Sequence, residues 1–301
     1  MTTLAAALDS ALSRSRVLDF VSLTKPGLLS MAVLTAALGF CWGSPAPVHY
    51  PTLLLTLVGT ALAGGGALAL NQYFERESDA RMERTRSRPL PDGRLEPGAA
   101  RTFGFVLAAS GVLWLGLFAG VLPAFLAAAS VGSYLWVYTP LKRRSALCTL
   151  AGAVPGALPP LIGWAAARGT LGAGAWFLFG VLFLWQIPHS LAIAWLYRED
   201  YARAGLRVLP SVDPEGTLTV RQILLHSVAL AVLALAPGAV GAAGAVYTGA
   251  ALLLGGTLVG AGVRLARSRS RNAARHVLWV TLVYLPLLLA ALVADRGLGM
   301  P

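Results

Sequence analysis

The sequence predicts an all-α protein that crosses a membrane nine times. Three observations predict it. Only 12% of the 301 residues are charged, about half the share usual in soluble domains. Several long stretches carry no charge at all. And 22 of the 24 Lys and Arg residues fall in alternate connections between those stretches, as happens when basic residues collect on the cytoplasmic side.

The elements follow in order. Residues 1–20 lack the continuous apolar run of a signal peptide and are expected to form a short amphipathic helix on the membrane surface. A bilayer core about 30 Å thick needs about 20 helical residues. Residues 26–74 supply two crossings, with a turn near Ser44–Pro47. Residues 102–141 are 40 residues without a charge, about 60 Å of helix and enough for two more. Residues 146–167 and 176–195 give one crossing each. Residues 222–263, which hold no Asp, Glu, Lys or Arg and a single histidine, His226, give two, and residues 277–294 the ninth. This count leaves only Arg168 and Arg296 on the outer side. It puts the N-terminus in the cytoplasm and the C-terminus outside, in a single membrane domain over residues 1–301 of a bacterial inner membrane. The net charge of +11 is then an orientation signal. Nucleic-acid binding is excluded, because no soluble basic face exists. Cys41 and Cys148 are too few for a disulfide framework and are expected as small buried core residues.

Only His189, His226 and His276 fall in or at the edge of a spanning stretch. The absence of mid-membrane acids argues against a proton-coupled pump or an ion channel. Ten of the thirteen acids gather in two connections instead. Residues 71–101 hold Glu75, Glu77, Asp79, Glu83, Asp92 and Glu96; residues 196–221 hold Glu199, Asp200, Asp213 and Glu215. These segments follow the second and sixth crossings, so the chain reads as a four-helix unit used twice plus a ninth helix.

The first segment reads "NQYFERESDARMERTRSRPLP" from Asn71 to Pro91. Asn71, Glu75, Asp79 and Glu83 recur every four residues. If the second helix continues that far, they share one stripe, and Arg84 and Arg88 extend it. Like charges at that spacing disfavour a helix, so a cation is expected on Glu75 and Asp79. Mg2+ takes oxygen ligands and often combines one or two carboxylates with substrate phosphates; arginines grip phosphate oxygens bidentately. The competing reading is a solvated face held by surface pairs such as Glu77–Arg81 and Glu83–Arg86. Asn71 weighs against it, since an amide at the membrane edge is costly without a partner.

The second segment continues the run "WQIPHSLAIAWLYREDYARAGLRVLP", residues 185–210. Pro188 is expected to break the helix and free carbonyls near His189. Asp200 is the favoured acid, with Glu199 second and Tyr197 and Tyr201 beside it. Gly64, Gly65 and Gly66 allow a close approach, either of a neighbouring helix or of a chain-like ligand. His226 and His276 read as packed or interfacial residues, and His49 lies in an outer turn.

Asn71-Gln72-x-x-Glu75-x-x-x-Asp79, followed by Arg84-Thr85-x-x-Arg88-Pro89-Leu90, resembles the first acidic motif of the UbiA-type intramembrane prenyltransferases. Gln72 and Glu75 depart from the general N-D-x-x-D-x-x-x-D pattern, and in doing so are similar to the heme O synthase (protoheme IX farnesyltransferase) branch. Tyr138-Thr139-Pro140-Leu141-Lys142-Arg143, Pro159-Pro160-Leu161-Ile162-Gly163-Trp164-Ala165 and the whole of residues 185–210 resemble that branch too. The resemblance covers roughly residues 24–210.

The resemblance implies a UbiA-like bundle with an active-site cap on the cytoplasmic side. It implies farnesyl transfer from farnesyl diphosphate to a vinyl group of heme b. Glu75, Asp79 and Asp200 are expected to hold Mg2+, with Asn71 assisting. Arg84, Arg88 and Lys142 are expected to meet phosphate oxygens, with Tyr138 and Tyr197 also lining the substrate. His189 is expected to touch the heme, as an iron ligand or as an acid or base near the vinyl group. Tyr73, Tyr138 and Trp164 could offer ring faces to an allylic cation. Membrane lipid is the surrounding medium, and heme A synthase an expected partner. Two alternatives stay open: an aromatic quinone-precursor acceptor, and a transporter or assembly scaffold for heme or isoprenoid. The D-G-x-x-A-R run of the CDP-alcohol phosphotransferases is missing.

Overall fold

The computed structural model describes residues 15–45 and 47–297, the last two without their side chains. Residues 1–14, where most of the expected surface helix falls, lie outside the described residues; residues 15–23 are helical. Among the described residues there is no strand, and nine helices are long and apolar enough to cross a membrane. They are α1 (Pro26–Gly43), α2 (Tyr50–Asp79), α3 (Pro97–Phe118), α4 (Val121–Leu141), α5 (Cys148–Arg168), α6 (Ala173–Leu196), α7 (Thr217–Ala239), α8 (Ala245–Ser268) and α9 (Arg271–Asp295). The protein is a multi-pass membrane protein. Large apolar side chains point outward, among them Val121 at 83% exposure and Leu117 at 78%. Lipid tolerates that surface, and helices suit lipid because they satisfy their own backbone.

Local chemistry sets the helix ends. Proline occupies the first turn of α1, α2 and α3, where its missing N–H is no loss. Gly120, at φ 111°, turns the chain between α3 and α4. Gly169, at φ 73°, ends α5 in a left-handed cap. Inside α4, Ser133–Tyr138 is a π-helical turn. Thr139 Oγ1 donates back to the Tyr134 carbonyl across it, at 2.8 Å.

The chain divides into two compact units. The first comprises the described residues up to Pro140, with Leu158–Trp176 and Arg203–Gly205. Here small residues let backbones meet. Gly66 of α2 lies against the backbone of Gly104 and Ala108 on α3, and Gly111 of α3 against Ala63. Gly39 of α1 meets the Pro160 carbonyl, and Gly163 meets that of Ala36. The glycines at 64–66 therefore serve helix packing: Gly65 and Gly66 face α3, and Gly64 faces Leu29. The second unit comprises Leu141–Ala157, Phe177–Ala202 and the described residues from Leu206. Its core joins Ile187, Leu191 and Trp195 of α6 to Ile223, Leu265 and Val277.

Three expectations need correction. α2 ends at Asp79, so the stripe stops there and Glu83, Arg84 and Arg88 sit on turns. Thr85 Oγ1 donates to the Asp79 carbonyl at 2.9 Å, taking a terminal acceptor that another helical turn would have used. Pro188 does not break α6, which runs through it. A proline removes one backbone donor, and the side chains just before it brace the helix: Gln186 Nε2 donates to the Leu182 and Ala153 carbonyls, and Trp185 Nε1 to that of Thr281. Finally, Cys148 is buried but Cys41 is exposed, on the outward face of α1.

Candidate active site

The first unit carries Asn71, Glu75, Asp79, Arg84, Arg88 and Tyr138. Asn71 is completely buried, and Glu75 and Asp79 are buried with it at the C-terminal end of α2. Both atoms of the Asn71 amide are engaged. Lys25 Nζ donates to Oδ1 at 2.9 Å, and Nδ2 donates to Thr139 Oγ1 at 3.2 Å. The hydroxyl in turn donates to the π-turn, so one chain of bonds links the residue before α1, the end of α2 and the bulge in α4. Asp79 Oδ2 accepts from Arg88 Nη1 at 2.7 Å, and the Arg88 side chain is 29% exposed. Glu75 also has an interaction partner. Arg84 is exposed but not isolated. Tyr138 is half-buried on the π-turn, its ring 5.2 Å from that of Tyr134.

Glu83 leaves the buried set. It is exposed and pairs with Arg86 at 3.7 Å and with Arg203 at 4.0 Å. Glu77 pairs with Arg76 at 3.5 Å. The solvated-face reading thus holds for these two acids and fails for Glu75 and Asp79. Gln72 is a structural clamp: Nε2 donates to the Ser22 and Leu23 carbonyls, holding the helical residues 15–23 against α2.

Two of the aromatic rings named from the sequence have other occupations. Arg76 lies over Tyr73 at 4.8 Å. Trp164 is buried, packs on Gly43 and Gly174, and has Arg168 over it at 5.6 Å.

The second unit carries Lys142, His189, Tyr197 and Asp200. His189 is half-buried on α6, with Nδ1 2.9 Å from Thr281 Oγ1 of α9. The Trp185 ring stacks on it at 4.8 Å and 18°. Tyr197 is exposed just past the end of α6. Asp200 lies partly exposed on the short helix Arg198–Arg203. Lys142 follows α4, and its carbonyl accepts from the Arg207 N–H at 2.6 Å. Asp213 is buried and turned to the backbone: Oδ2 accepts from both the N–H and the hydroxyl of Thr219, at 2.7 and 2.8 Å, capping α7. His226 bonds the carbonyl one turn before it, which bears out its reading as a packed residue.

Sequence reasoning missed Lys25 and Thr139 as partners of Asn71. Lys25 had a signal. It directly precedes the helix-starting Pro26, where a cation opposes the helix dipole; the structure adds a left-handed backbone there, at φ 48°. Such strain is a pointer to function.

Among the described residues, no three His, Cys, Asp or Glu side chains form a ready-made ion cage. Glu75 and Asp79 supply hard oxygen donors one turn apart. That set fits Mg2+ when substrate phosphates complete the shell.

The chain matches the UbiA prenyltransferase family over residues 32–293. It is 44% identical over 289 residues to the protoheme IX farnesyltransferase of Solibacter usitatus, covering 92% of this chain and 98% of that one. It is likewise 44% identical over 279 residues to that of Myxococcus xanthus, covering 92% and 94%. Among solved structures, a digeranylgeranylglyceryl phosphate synthase superposes with a TM-score of 0.79 at 16% identity, covering 93% of this chain and 98% of that one. A UbiA homolog from Archaeoglobus fulgidus bound to GPP and Mg2+ superposes with a TM-score of 0.63 at 13% identity, covering 91% and 99%.

Proposed function

Because the chain belongs to the UbiA prenyltransferase family, we propose that it transfers the farnesyl group of farnesyl diphosphate to a vinyl group of heme b, with addition of water, giving heme O. The relatives that carry this activity in their names match nearly the whole chain. One structural observation carries the reading: two carboxylates, Glu75 and Asp79, buried a turn apart in a membrane helix, with Arg88 gripping the second.

In this proposal Glu75 and Asp79 hold Mg2+, and Asp200, nominated by sequence, supplies a further carboxylate. When bound, the metal neutralises phosphate charge and makes the diphosphate a better leaving group. Arg84, Arg88 and Lys142 take phosphate oxygens. Asn71 acts by fixing Lys25, so that a fourth cation faces the same charge. The farnesyl C1–O bond breaks and the diphosphate leaves with the electron pair. The vinyl π electrons form the new bond to C1. The cation left on the other vinyl carbon takes up water, which then loses a proton. Until that point apolar side chains must keep water away. Tyr138 and Tyr197 line the substrate, and His189 contacts the heme.

The protein resides in the bacterial inner membrane with a cytoplasmic N-terminus and an outer C-terminus. The one-sided distribution of basic residues supports this. Heme A synthase is a partner that would consume the product. The test is to express the chain in cells that lack heme O and measure the masses of extracted hemes. A heme b that has gained farnesyl plus water is the expected product. Farnesylated hydroxybenzoate with unchanged heme would overturn the acceptor.

A further inference from the structure

We infer that Thr281 of α9 is a positioning residue: it sets the tautomer of His189 so that Nε2 presents a bare lone pair to the heme substrate. The inference rests on the proposed contact between His189 and heme, and deepens it.

The argument starts from one hydroxyl proton. Thr281 is completely buried. Its Oγ1 lies 2.7 Å from the Leu278 carbonyl and 2.9 Å from His189 Nδ1. A carbonyl can only accept, so the hydroxyl must donate to Leu278. Its lone pairs are what remain for the imidazole. Nδ1 therefore carries the hydrogen and donates to Oγ1. A neutral imidazole protonated at Nδ1 has its lone pair on Nε2. The opposite tautomer would set two lone pairs against each other at 2.9 Å.

Orientation is held by the same pair of helices. Trp185 and His189 are neighbours one turn apart on α6, with stacked rings. Trp185 Nε1 donates to the Thr281 carbonyl at 2.7 Å. Thus α6 grips the carbonyl and the hydroxyl of one residue on α9, through two side chains whose rings lie face to face. His226, read as a packed residue, is also held at Nδ1, by the Gln222 carbonyl, but among the described residues no stacked ring is joined to its partner's residue. His189 is fixed in tautomer and in ring plane. Histidines that ligate a metal usually donate their other ring N–H in this way.

The test titrates heme b into the purified full-length protein in detergent and reads affinity and the axial-ligand spectrum. Thr281→Val keeps the shape and the Trp185 bond but removes the acceptor. It should weaken heme binding on the order of 10–100-fold and lose the histidine signature, while the KM for farnesyl diphosphate stays unchanged. Thr281→Ser should restore both heme readouts. If Thr281→Val does not fold, Thr281→Ala removes the same acceptor with less bulk. Wild-type binding and spectrum in the acceptor-less variant, with both lost in His189→Ala, would overturn the role of Thr281 alone. A wild-type spectrum in His189→Ala would overturn the heme contact itself. Equal losses in the Val and Ser variants would make Thr281 a packing residue and overturn the inference.

Discussion

Asp79 and Asp213 lie in the two acid-rich segments of the chain, and both are buried. They use their oxygens differently. Asp213 accepts from the N–H and hydroxyl of Thr219 and caps α7. Those donors are part of the fold and cannot leave. Asp79 accepts from Arg88, whose side chain stands on a turn and is only partly buried. That partner can exchange a carboxylate for a phosphate at little cost to the backbone. Burial marks both aspartates; the nature of the partner separates the one proposed for chemistry from the one that holds the start of α7.

The largest expected effect tests this contrast directly. Asp79→Asn keeps the shape and a hydrogen-bond acceptor for Arg88 but removes the charge. Turnover should fall at least on the order of 10²–10³-fold, as when a preorganised electrostatic contact is lost. Heme O formation measures the loss, and a thermal melt near that of the wild type shows that the fold survives. Full activity would return Asp79 to the same class as Asp213. Next in size is Arg88→Ala, which strands a buried carboxylate. Losing a hydrogen bond to a charged group costs about 1.5–3 kcal/mol, read as a lowered melting temperature. The KM for farnesyl diphosphate should rise as well, which the loss of a purely structural pair would not cause. Arg88→Lys should recover part of both.

The contrast also marks what was legible in the sequence. Hydrophobic runs and basic connections located all nine spans, because lipid imposes length and charge rules that act locally along the chain. The four-residue spacing found Asn71, Glu75 and Asp79, since one helix carries all three. It overran at Glu83 because nothing local stops α2: no glycine or proline follows until Pro89, and the stop is made by Thr85 and Arg88 folding back on Asp79. Lys25 with Asn71, Asn71 with Thr139, and His189 with Thr281 each join residues 46 or more apart. No periodicity announces such pairs. Pro188 does not end α6 because the side chains just before it, Trp185 and Gln186, tie the helix to its neighbours, and those partners are remote in sequence.

The smallest effect is expected from the capping acid itself, and it completes the comparison. Asp213→Ala removes the acceptor for Thr219 and should destabilise the start of α7 by about 0.5–2 kcal/mol. The fully buried Thr219 hydroxyl puts the result towards the upper part of that range, since it too loses its partner. The activity of the folded fraction should stay within about twofold, because no charge that meets substrate has changed. Asp213→Asn should lie closer to the wild type in stability, its amide oxygen still accepting from the Thr219 N–H. Melting temperature and initial rate, measured on the same preparations, decide it. A large rate loss at unchanged stability would move Asp213 into the chemistry and break the distinction; a stability loss with intact rate places it, as the Thr219 bonds do, in the frame that holds α7.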